Sequence, residues 1–205
     1  VYWIYGYSEM KKRISFILTI LTLIPSGQLF LLKKGAVFST TAISISHFAE
    51  VNAESASFYF ERGIKKQNEL NYKGAIRDFT KAIELYPNYF EAFFNRGFSK
   101  SALDDIDIEE AIKDLTKAIE LNSEYAEAYY LRGVLKGAFL DDNEDAISDL
   151  TKAIKLNPKD IKSLNSRALN KRFLKDYQGA IDDLTKAIEL NPKASGPYFS
   201  RAKSK

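Results

Sequence analysis

Few side chains of this chain are of the kinds that perform covalent or acid–base chemistry. The sequence has no cysteine and one histidine, His47, which lies in an apolar stretch near the N-terminus. Disulfides, thiolate zinc sites and cysteine nucleophiles are therefore excluded. No glycine-rich loop of the phosphate-binding kind is present. We predict no catalytic residues, no cofactor and no enzyme activity.

Two acidic turns place oxygen ligands at alternate positions, as at the start of a calcium-binding EF-hand loop. They read Asp105-Ile-Asp107-Ile-Glu109 and Asp141-Asp-Asn-Glu-Asp145. Neither continues with the glycine that such a loop needs, and Thr116 and Lys152 stand in place of the closing glutamate. We therefore predict solvated turns and helix caps here, and no metal site.

Arginine and aspartate recur together along the second half of the chain. An arginine on the apolar stripe of a helix is costly to bury alone. We predict an Arg–Asp ion pair between two helices in each recurring unit, with a lysine four residues after the arginine as the competing cation. The local alternative pairs each aspartate with the lysine three residues later. The predicted pairs are Arg62–Asp78, Arg96–Asp114, Arg132–Asp149 and Arg167–Asp183; the competing lysines are Lys66, Lys100, Lys136 and Lys171.

These aspartates begin a decapeptide, such as Asp183-Leu-Thr-Lys-Ala-Ile-Glu-Leu-Asn-Pro192, which occurs four times at intervals of 34–36 residues. Such a period predicts stacked structural repeats. Apolar residues at helical spacing place each decapeptide in a helix. A helix before it carries a small residue: Gly63, Gly97, Gly133 or Ala168. Glycine within a helix costs about 1 kcal/mol relative to alanine, so we expect a neighbouring helix there, with the alanine column Ala82, Ala118, Ala153 and Ala187 as its contact.

The pattern resembles the tetratricopeptide repeat family; in the first unit the match is Tyr59, Gly63, Tyr72, Ala75, Phe79, Ala82 and Pro87. The resemblance implies an all-α, right-handed α-solenoid of antiparallel helix pairs over residues 54–205. The units span 56–89, 90–125, 126–160 and 161–194, and a partial fifth spans 195–205. The sequence departs from the family at the recurrent arginines and lysines, where leucine and tyrosine are usual.

The resemblance also implies that the first helix of each pair lines a concave face on which peptides bind. On that face we predict an apolar and aromatic groove for a protein or peptide partner that presents apolar or aromatic segments. It does not reproduce the basic arrangement with which some relatives clamp a carboxylate terminus. The alternative is that these residues only pack neighbouring first helices together. The predicted groove residues are Phe60, Ile64, Phe94, Asn95, Phe98, Tyr130, Val134 and Leu169.

Residues 1–53 form a leader that differs from the repeats. Lys11-Lys12-Arg13 precede an apolar stretch, Ile14–Leu32, which as a helix is about 28 Å long and close to the thickness of a bilayer core. This arrangement predicts a cleaved signal peptide or an N-terminal membrane anchor, with a buried soluble helix as the third alternative. Val51-Asn-Ala53 is a candidate cleavage site, and residues 1–9 are read as an extension upstream of Met10.

The leader also accounts for the net charge of +3, because the remaining residues carry equal numbers of basic and acidic side chains. A neutral, mixed surface lacks the basic patch of a nucleic-acid binder. We predict an exported or membrane-anchored, non-catalytic scaffold for protein–protein interaction, periplasmic or secreted. Two alternatives stay open: self-assembly into dimers or filaments by repeat stacking, and an accessory subunit of an envelope enzyme complex.

Overall fold

The structure is a computed structural model that describes residues 55–103, 107–193, 196–197 and 201. The leader with its predicted signal or anchor, His47, Asp105 and most of the partial fifth unit lie outside these residues. None of the helices in the described ranges is both long and apolar enough to cross a membrane.

Eight helices follow one another, without any strand, through residues 55–103 and 107–193. Their bounds are α1 (55–68), α2 (Tyr72–Leu85), α3 (Phe90–Ser101), α4 (Ile108–Leu121), α5 (Ala126–Phe139), α6 (Asn143–Leu156), α7 (Ile161–Phe173) and α8 (Tyr177–Leu190). They form four antiparallel pairs. We call α1, α3, α5 and α7 the first helices of repeats one to four, and α2, α4, α6 and α8 the second helices.

Each second helix begins at a side-chain cap. The cap accepts a hydrogen bond of 2.9–3.3 Å from the backbone N–H three residues later, in the series Asn71, Asp107, Asp142 and Asp176. Such a cap satisfies one of the N–H groups that a helix start leaves unpaired. Before three of these caps stands a residue with a left-handed φ of 54–61°: Leu70, Asp141 or Lys175. One left-handed residue followed by a cap therefore reverses the chain within each of these pairs.

The small residues lie where a first helix meets the beginning of its own second helix. A Cβ added at Gly133 would stand 2.9 Å from Leu150 Cγ and 3.0 Å from the carbonyl oxygen of Ala146. In the fourth repeat, Ala168 packs with Ala180 and Leu184. The absence of a larger side chain thus allows the two helices of a repeat to approach closely.

The prediction that the later alanine column contacts these small residues is wrong. Because the helices of a pair are antiparallel, the later half of a second helix lies beside the start of first helices instead. Ala118 and Ile119 of α4 cluster with Ala128 at the start of α5, and Phe93 at the start of α3 packs on the same cluster. These alanines therefore join neighbouring repeats.

The repeats stack because second helices pack on two first helices. α2, α4 and α6 contact the first helix of the next repeat as well as their own, and α3, α5 and α7 also contact one another in order. The result is an all-α solenoid in which each repeat is held by its neighbours. The first helices form a layer of their own, and its surface is the face on which the groove residues were predicted.

Candidate interaction surfaces

Each aspartate of the decapeptide binds two cations from the first helix of its own repeat. In the third repeat, Asp149 accepts hydrogen bonds from Arg132 Nε at 2.9 Å and Nη2 at 2.7 Å, and Lys136 Nζ lies 3.3 Å from it. The distances at Asp78, Asp114 and Asp183 are 2.6–2.9 Å to arginine and 2.7–2.9 Å to lysine. The arginine and the lysine do not compete, because a carboxylate has two oxygens that each accept several hydrogen bonds.

The same contact forms although the turns differ in length. Arginine and aspartate are 16, 18, 17 and 16 residues apart in repeats one to four. The additional residues of repeats two and three therefore lie in the turn and leave the helix pair unchanged. The local alternative is not what the structure shows, since Lys81 and Lys117 pair with Glu84 and Glu120 on the outer surface.

A threonine of the decapeptide connects each arginine to the preceding repeat. Arg132 Nη1 donates to Thr116 Oγ1 of α4 at 3.0 Å. The equivalent bonds of 3.0–3.3 Å are Arg96–Thr80, Arg167–Thr151 and Arg201–Thr185. In repeats two to four one guanidinium thus binds the second helices of two repeats, and we call this series the Arg–Asp–Thr ladder. The sequence analysis missed the threonines, although each stands 16 residues before an arginine.

The Arg–Asp pair is more exposed in the first repeat than in the others. The side chain of Arg62 is 43% exposed, against 15–17% for Arg96, Arg132 and Arg167. Its guanidinium lies over the rings of Tyr59 and Phe58, at 4.9 and 5.4 Å. Its hydrogen bonds to Asp78, assisted by Lys66, hold the pKa of that carboxyl below the ordinary value despite its burial.

Two of the predicted groove residues are used in contacts between repeats. The Phe60 ring lies 4.8 Å from that of Tyr89 and 5.7 Å from that of Phe79. Phe94 packs edge-on against Tyr125 at 4.9 Å and on the core around Leu115 and Ala128. Tyr89 and Tyr125 immediately precede the next first helices. Phe60 and Phe94 therefore join consecutive repeats, and Tyr130, at the equivalent position, is half-buried.

The residue that follows the small residue in each first helix has a side chain that is at least partly accessible to solvent. Phe98 is 39% exposed and Leu169 is 49% exposed, while Ile64 and Val134 are half-buried. We call these four residues the groove row. One member comes from each repeat, and all belong to first helices. The structure therefore presents a row of apolar side chains along the first-helix layer.

Asn95 is held within its own helix. Its side-chain Nδ2 donates to the carbonyl oxygen of Glu91 at 2.8 Å. Gln67 Nε2 donates to the backbone oxygen of Asn95 at 3.2 Å and to Ser99 Oγ at 2.9 Å, so this polar contact links α1 to α3. One donor of the Asn95 side-chain amide is therefore used within its own helix.

The layer becomes polar in the fourth repeat. A cavity of about 250 Å³ is lined by side chains of α7 and α8, namely Asn165, Ser166, Ala168, Leu169, Arg172 and Leu184. Within the described residues, Asn165 Oδ1 and Arg172 Nε are buried atoms without a hydrogen-bond partner.

Acidic residues lie close to the aromatic contacts of the second and third repeats. Burial, with smaller contributions from Glu127 and Glu91, raises the pKa of Tyr125 to about 12. Burial, Glu91 and Glu61 likewise raise the pKa of Tyr89. No cluster of three or more potential metal ligands occurs in the described ranges, where Asp107 and Asp142 act as helix caps.

Comparisons with known proteins match these repeats. A family model described as TPR repeat matches residues 107–137, and one described as tetratricopeptide repeat matches 126–160 and 161–194. An uncharacterized protein of Methanocaldococcus jannaschii is 35% identical over 48 residues, which cover 23% of this chain and 56% of that protein.

Two solved structures show the same fold over most of the described residues. The crystal structure of MamA has a TM-score of 0.68 at 27% identity, covering 74% of this chain and 81% of that one. The first TPR of Spaghetti bound to the HSP90 peptide SRMEEVD has a TM-score of 0.57 at 26% identity, covering 60% of this chain and 94% of that one.

Proposed function

Because this chain is a tetratricopeptide repeat protein, we propose that it is a non-catalytic scaffold that binds a partner protein on its first-helix layer. The observation that carries the proposal is the groove row, in which Phe98 and Leu169 stay 39% and 49% exposed. The neighbouring column of Phe60 and Phe94 is occupied in packing. A preformed apolar row is suited to the apolar or aromatic side chains of a bound segment, because it requires no reorganisation on binding.

The proposal has support from a similar structure, since the first TPR of Spaghetti is bound to a peptide. That peptide, SRMEEVD, has three acidic residues among its last four. The groove row of this chain is apolar. We therefore expect a partner whose segment presents apolar or aromatic side chains rather than an acidic terminus.

The test is crosslinking of the full-length protein in its native cells, followed by mass spectrometry of what is captured. We expect Phe98→Ser with Leu169→Ser to reduce capture of the partner by about tenfold or more, equivalent to roughly 1.4 kcal/mol. The matched control is Tyr86→Ser with Leu190→Ser, whose side chains are 45% and 37% exposed at the ends of second helices. Equal capture by both variants would reject the groove row as the binding surface.

We also propose that the leader directs the repeats out of the cytoplasm or to a membrane. Its support is the order of the sequence, with Lys11-Lys12-Arg13 directly before the apolar stretch Ile14–Leu32. The N-terminal peptide of the mature protein, recovered from fractionated cells, tests it. A mature chain that retains residues 14–32 and is found only in the soluble cytoplasmic fraction would contradict it.

A further inference from the structure

The first repeat has a surface that no second helix covers within the described residues. In the other repeats, the residue four positions before the paired arginine is fully buried, namely Ala92, Ala128 and Ser163. Ala128 packs there with Ala118 and Ile119 of the preceding second helix. The equivalent residue of the first repeat is Phe58, which is 58% exposed. The surface of α1 on which a preceding second helix would pack is therefore open, and we call it the open surface.

Phe58 also differs in size from the residues at this position in the other repeats. Alanine and serine let the preceding second helix lie close, as α4 does at Ala128. The Phe58 ring instead lies edge-on to the Tyr59 ring, with the centres 5.5 Å apart, and 5.4 Å from the Arg62 guanidinium. Whatever covers Phe58 must therefore differ in shape from the decapeptide, because extra side-chain volume in a tight contact forces the partners apart.

The residues directly before α1 match the end of a second helix and the turn that follows it. Glu50-Val-Asn-Ala-Glu54 aligns with Glu120-Leu-Asn-Ser-Glu124, which joins α4 to α5. The register of the alignment is fixed, because Val51 precedes Arg62 by 11 residues and Leu121 precedes Arg132 by 11 residues. The sequence thus indicates that the chain enters α1 in the way that it enters α5.

The turn in this alignment contains a specific hydrogen bond. Asn122 Oδ1 accepts from the backbone N–H of Glu124 at 3.1 Å, and the turn after α8 has the same bond at 3.2 Å. An asparagine that binds the backbone two residues later favours a chain reversal. Asn52 and Glu54 stand at the positions of Asn122 and Glu124. The same reversal would return the residues before Asn52 to the open surface.

The packing residues of the segment change together with Phe58. Ile119 packs on Ala128, and the alignment places Ala49 at the position of Ile119, opposite Phe58. Phe48 comes just before Ala49, where the decapeptide has alanine. A small residue therefore stands opposite the large one in both cases. Because the segment is joined directly to α1, its effective concentration at this surface also exceeds that of a free partner.

We propose that residues 48–54 dock on the open surface of α1, in the place that the end of a second helix takes between the other repeats. Phe48, Ala49 and Val51 remove Phe58 from water, and the segment covers the end of the stack as a solenoid requires. The segment thus belongs to the repeats, and any cleavage of the leader falls before residue 48. The candidate cleavage site at Ala53 would remove the segment.

Hydrogen–deuterium exchange of the full chain, followed by mass spectrometry, tests the proposal. We expect the amides of residues 48–54 to exchange at least about tenfold more slowly than those of a free peptide of the same sequence. Phe58→Ser should abolish this protection. Phe173→Ser is the matched control, because Phe173 is 63% exposed in the fourth repeat, and it should leave the exchange of residues 48–54 unchanged.

A compensating variant tests the packing itself. Phe58→Ala alone removes the ring that the segment covers and should lose most of the protection. Phe48→Ala and Ala49→Ile, added to Phe58→Ala, give this contact the three residues that meet in the third repeat. We expect the triple variant to regain protection, because contacting residues couple in their effects.

Three results would overturn the proposal: fast exchange of residues 48–54 in the native chain, protection that survives Phe58→Ser, or protection that appears only as the protein concentration is raised. The last result would assign the open surface to a second copy. Circular dichroism checks that Phe58→Ser remains helical.

If Phe58→Ser loses helicity, Asn52→Ala decides, because residue 52 lies outside the eight helices. Loss of the turn hydrogen bond should speed exchange of the segment about fivefold, whereas Ala53→Ser, which introduces the serine of the third turn, should not. Unchanged exchange in Asn52→Ala would overturn the proposal. Neither the groove row nor delivery by the leader enters these measurements, so either can fail independently.

Discussion

Replacing Asp149 by asparagine tests whether the buried carboxylates hold the helix pairs together. In the native chain the Asp149 side chain is 7% exposed and binds Arg132 and Lys136, which are 15% and 16% exposed. Asparagine has nearly the same shape but carries no charge, and it turns one donor group towards the two cations. Removing one partner of a buried ion pair costs about 3–5 kcal/mol.

The lower end of that range applies here because both cations keep other partners. Arg132 still donates to Thr116 and lies 5.7 Å from the centre of the Tyr129 ring, and Lys136 still binds Asp145. With a urea m-value of about 1.5–3 kcal/mol/M, a loss of about 3 kcal/mol lowers the unfolding midpoint by about 1–2 M. The measurement is urea unfolding of the full chain, followed by circular dichroism.

Asp78→Asn is the internal control for this reasoning. Asp78 has the same two kinds of partner, but Arg62 is 43% exposed and water can solvate it once the carboxylate charge is lost. We expect its midpoint to fall by less than half as much as that of Asp149→Asn. Equal shifts for the two variants, or no shift for Asp149→Asn, would refute the argument from burial.

A triple variant separates the cost of breaking the pair from the value of having it. Arg132→Leu with Lys136→Tyr and Asp149→Ala restores the leucine and tyrosine that the family usually has and removes all three charges. Because well-packed apolar residues often replace a buried ion pair without loss, we expect stability within about 1 kcal/mol of the native chain. A triple variant as unstable as Asp149→Asn would show that the charges themselves stabilise the fold.

Two further predictions concern single positions. The pKa of Tyr125 is raised to about 12 in the folded chain, compared with about 10 in the unfolded chain. The neutral phenol therefore contributes its full stabilisation below pH 10, and this contribution is lost as the pH rises towards 12. The urea midpoint of Tyr125→Phe should fall less steeply over this interval than that of the native chain. Gly133→Ala places a Cβ 2.9 Å from Leu150 Cγ and should lower the midpoint despite a gain of about 1 kcal/mol in helix propensity. Gly196→Ala adds a Cβ that meets nothing within 4 Å among the described residues, and it should not lower the midpoint. Equal effects at both sites would contradict the packing argument.

The sequence was sufficient for the features that depend on period and residue type. The recurrence of the decapeptide predicted the helix pairs, and the match of each arginine with one aspartate predicted a contact that the structure shows at 2.6–2.9 Å. It was not sufficient for the stagger between helices. The alanine column around Ala118 was assigned to the wrong neighbour, because a helical pattern gives the face of a residue but not its level along an antiparallel partner.

The groove shows the same limit. Phe60 and Ile64 are four residues apart on one face, as are Phe94 and Phe98, so their spacing does not distinguish packing from binding. The distinction comes from Tyr89 and Tyr125, which lie just before the next first helices and cover Phe60 and Phe94. Such contacts between repeats depend on how the units stack, and the pattern within one unit carries no information about that.

The ladder explains why the decapeptide recurs with so little change while the groove row varies. Its aspartate binds the first helix of its own repeat, and its threonine binds the arginine of the next repeat, so each arginine depends on two second helices at once. A repeat that slipped by one helical turn would separate a largely buried guanidinium from its carboxylate, at a cost of several kcal/mol. Apolar packing alone discriminates less between the correct and the slipped register, because alanine and leucine recur at every turn of these helices. The ladder therefore mainly determines the register in which the repeats stack. Ile64, Phe98, Val134 and Leu169 take no part in it, so these positions can vary while the stack stays the same.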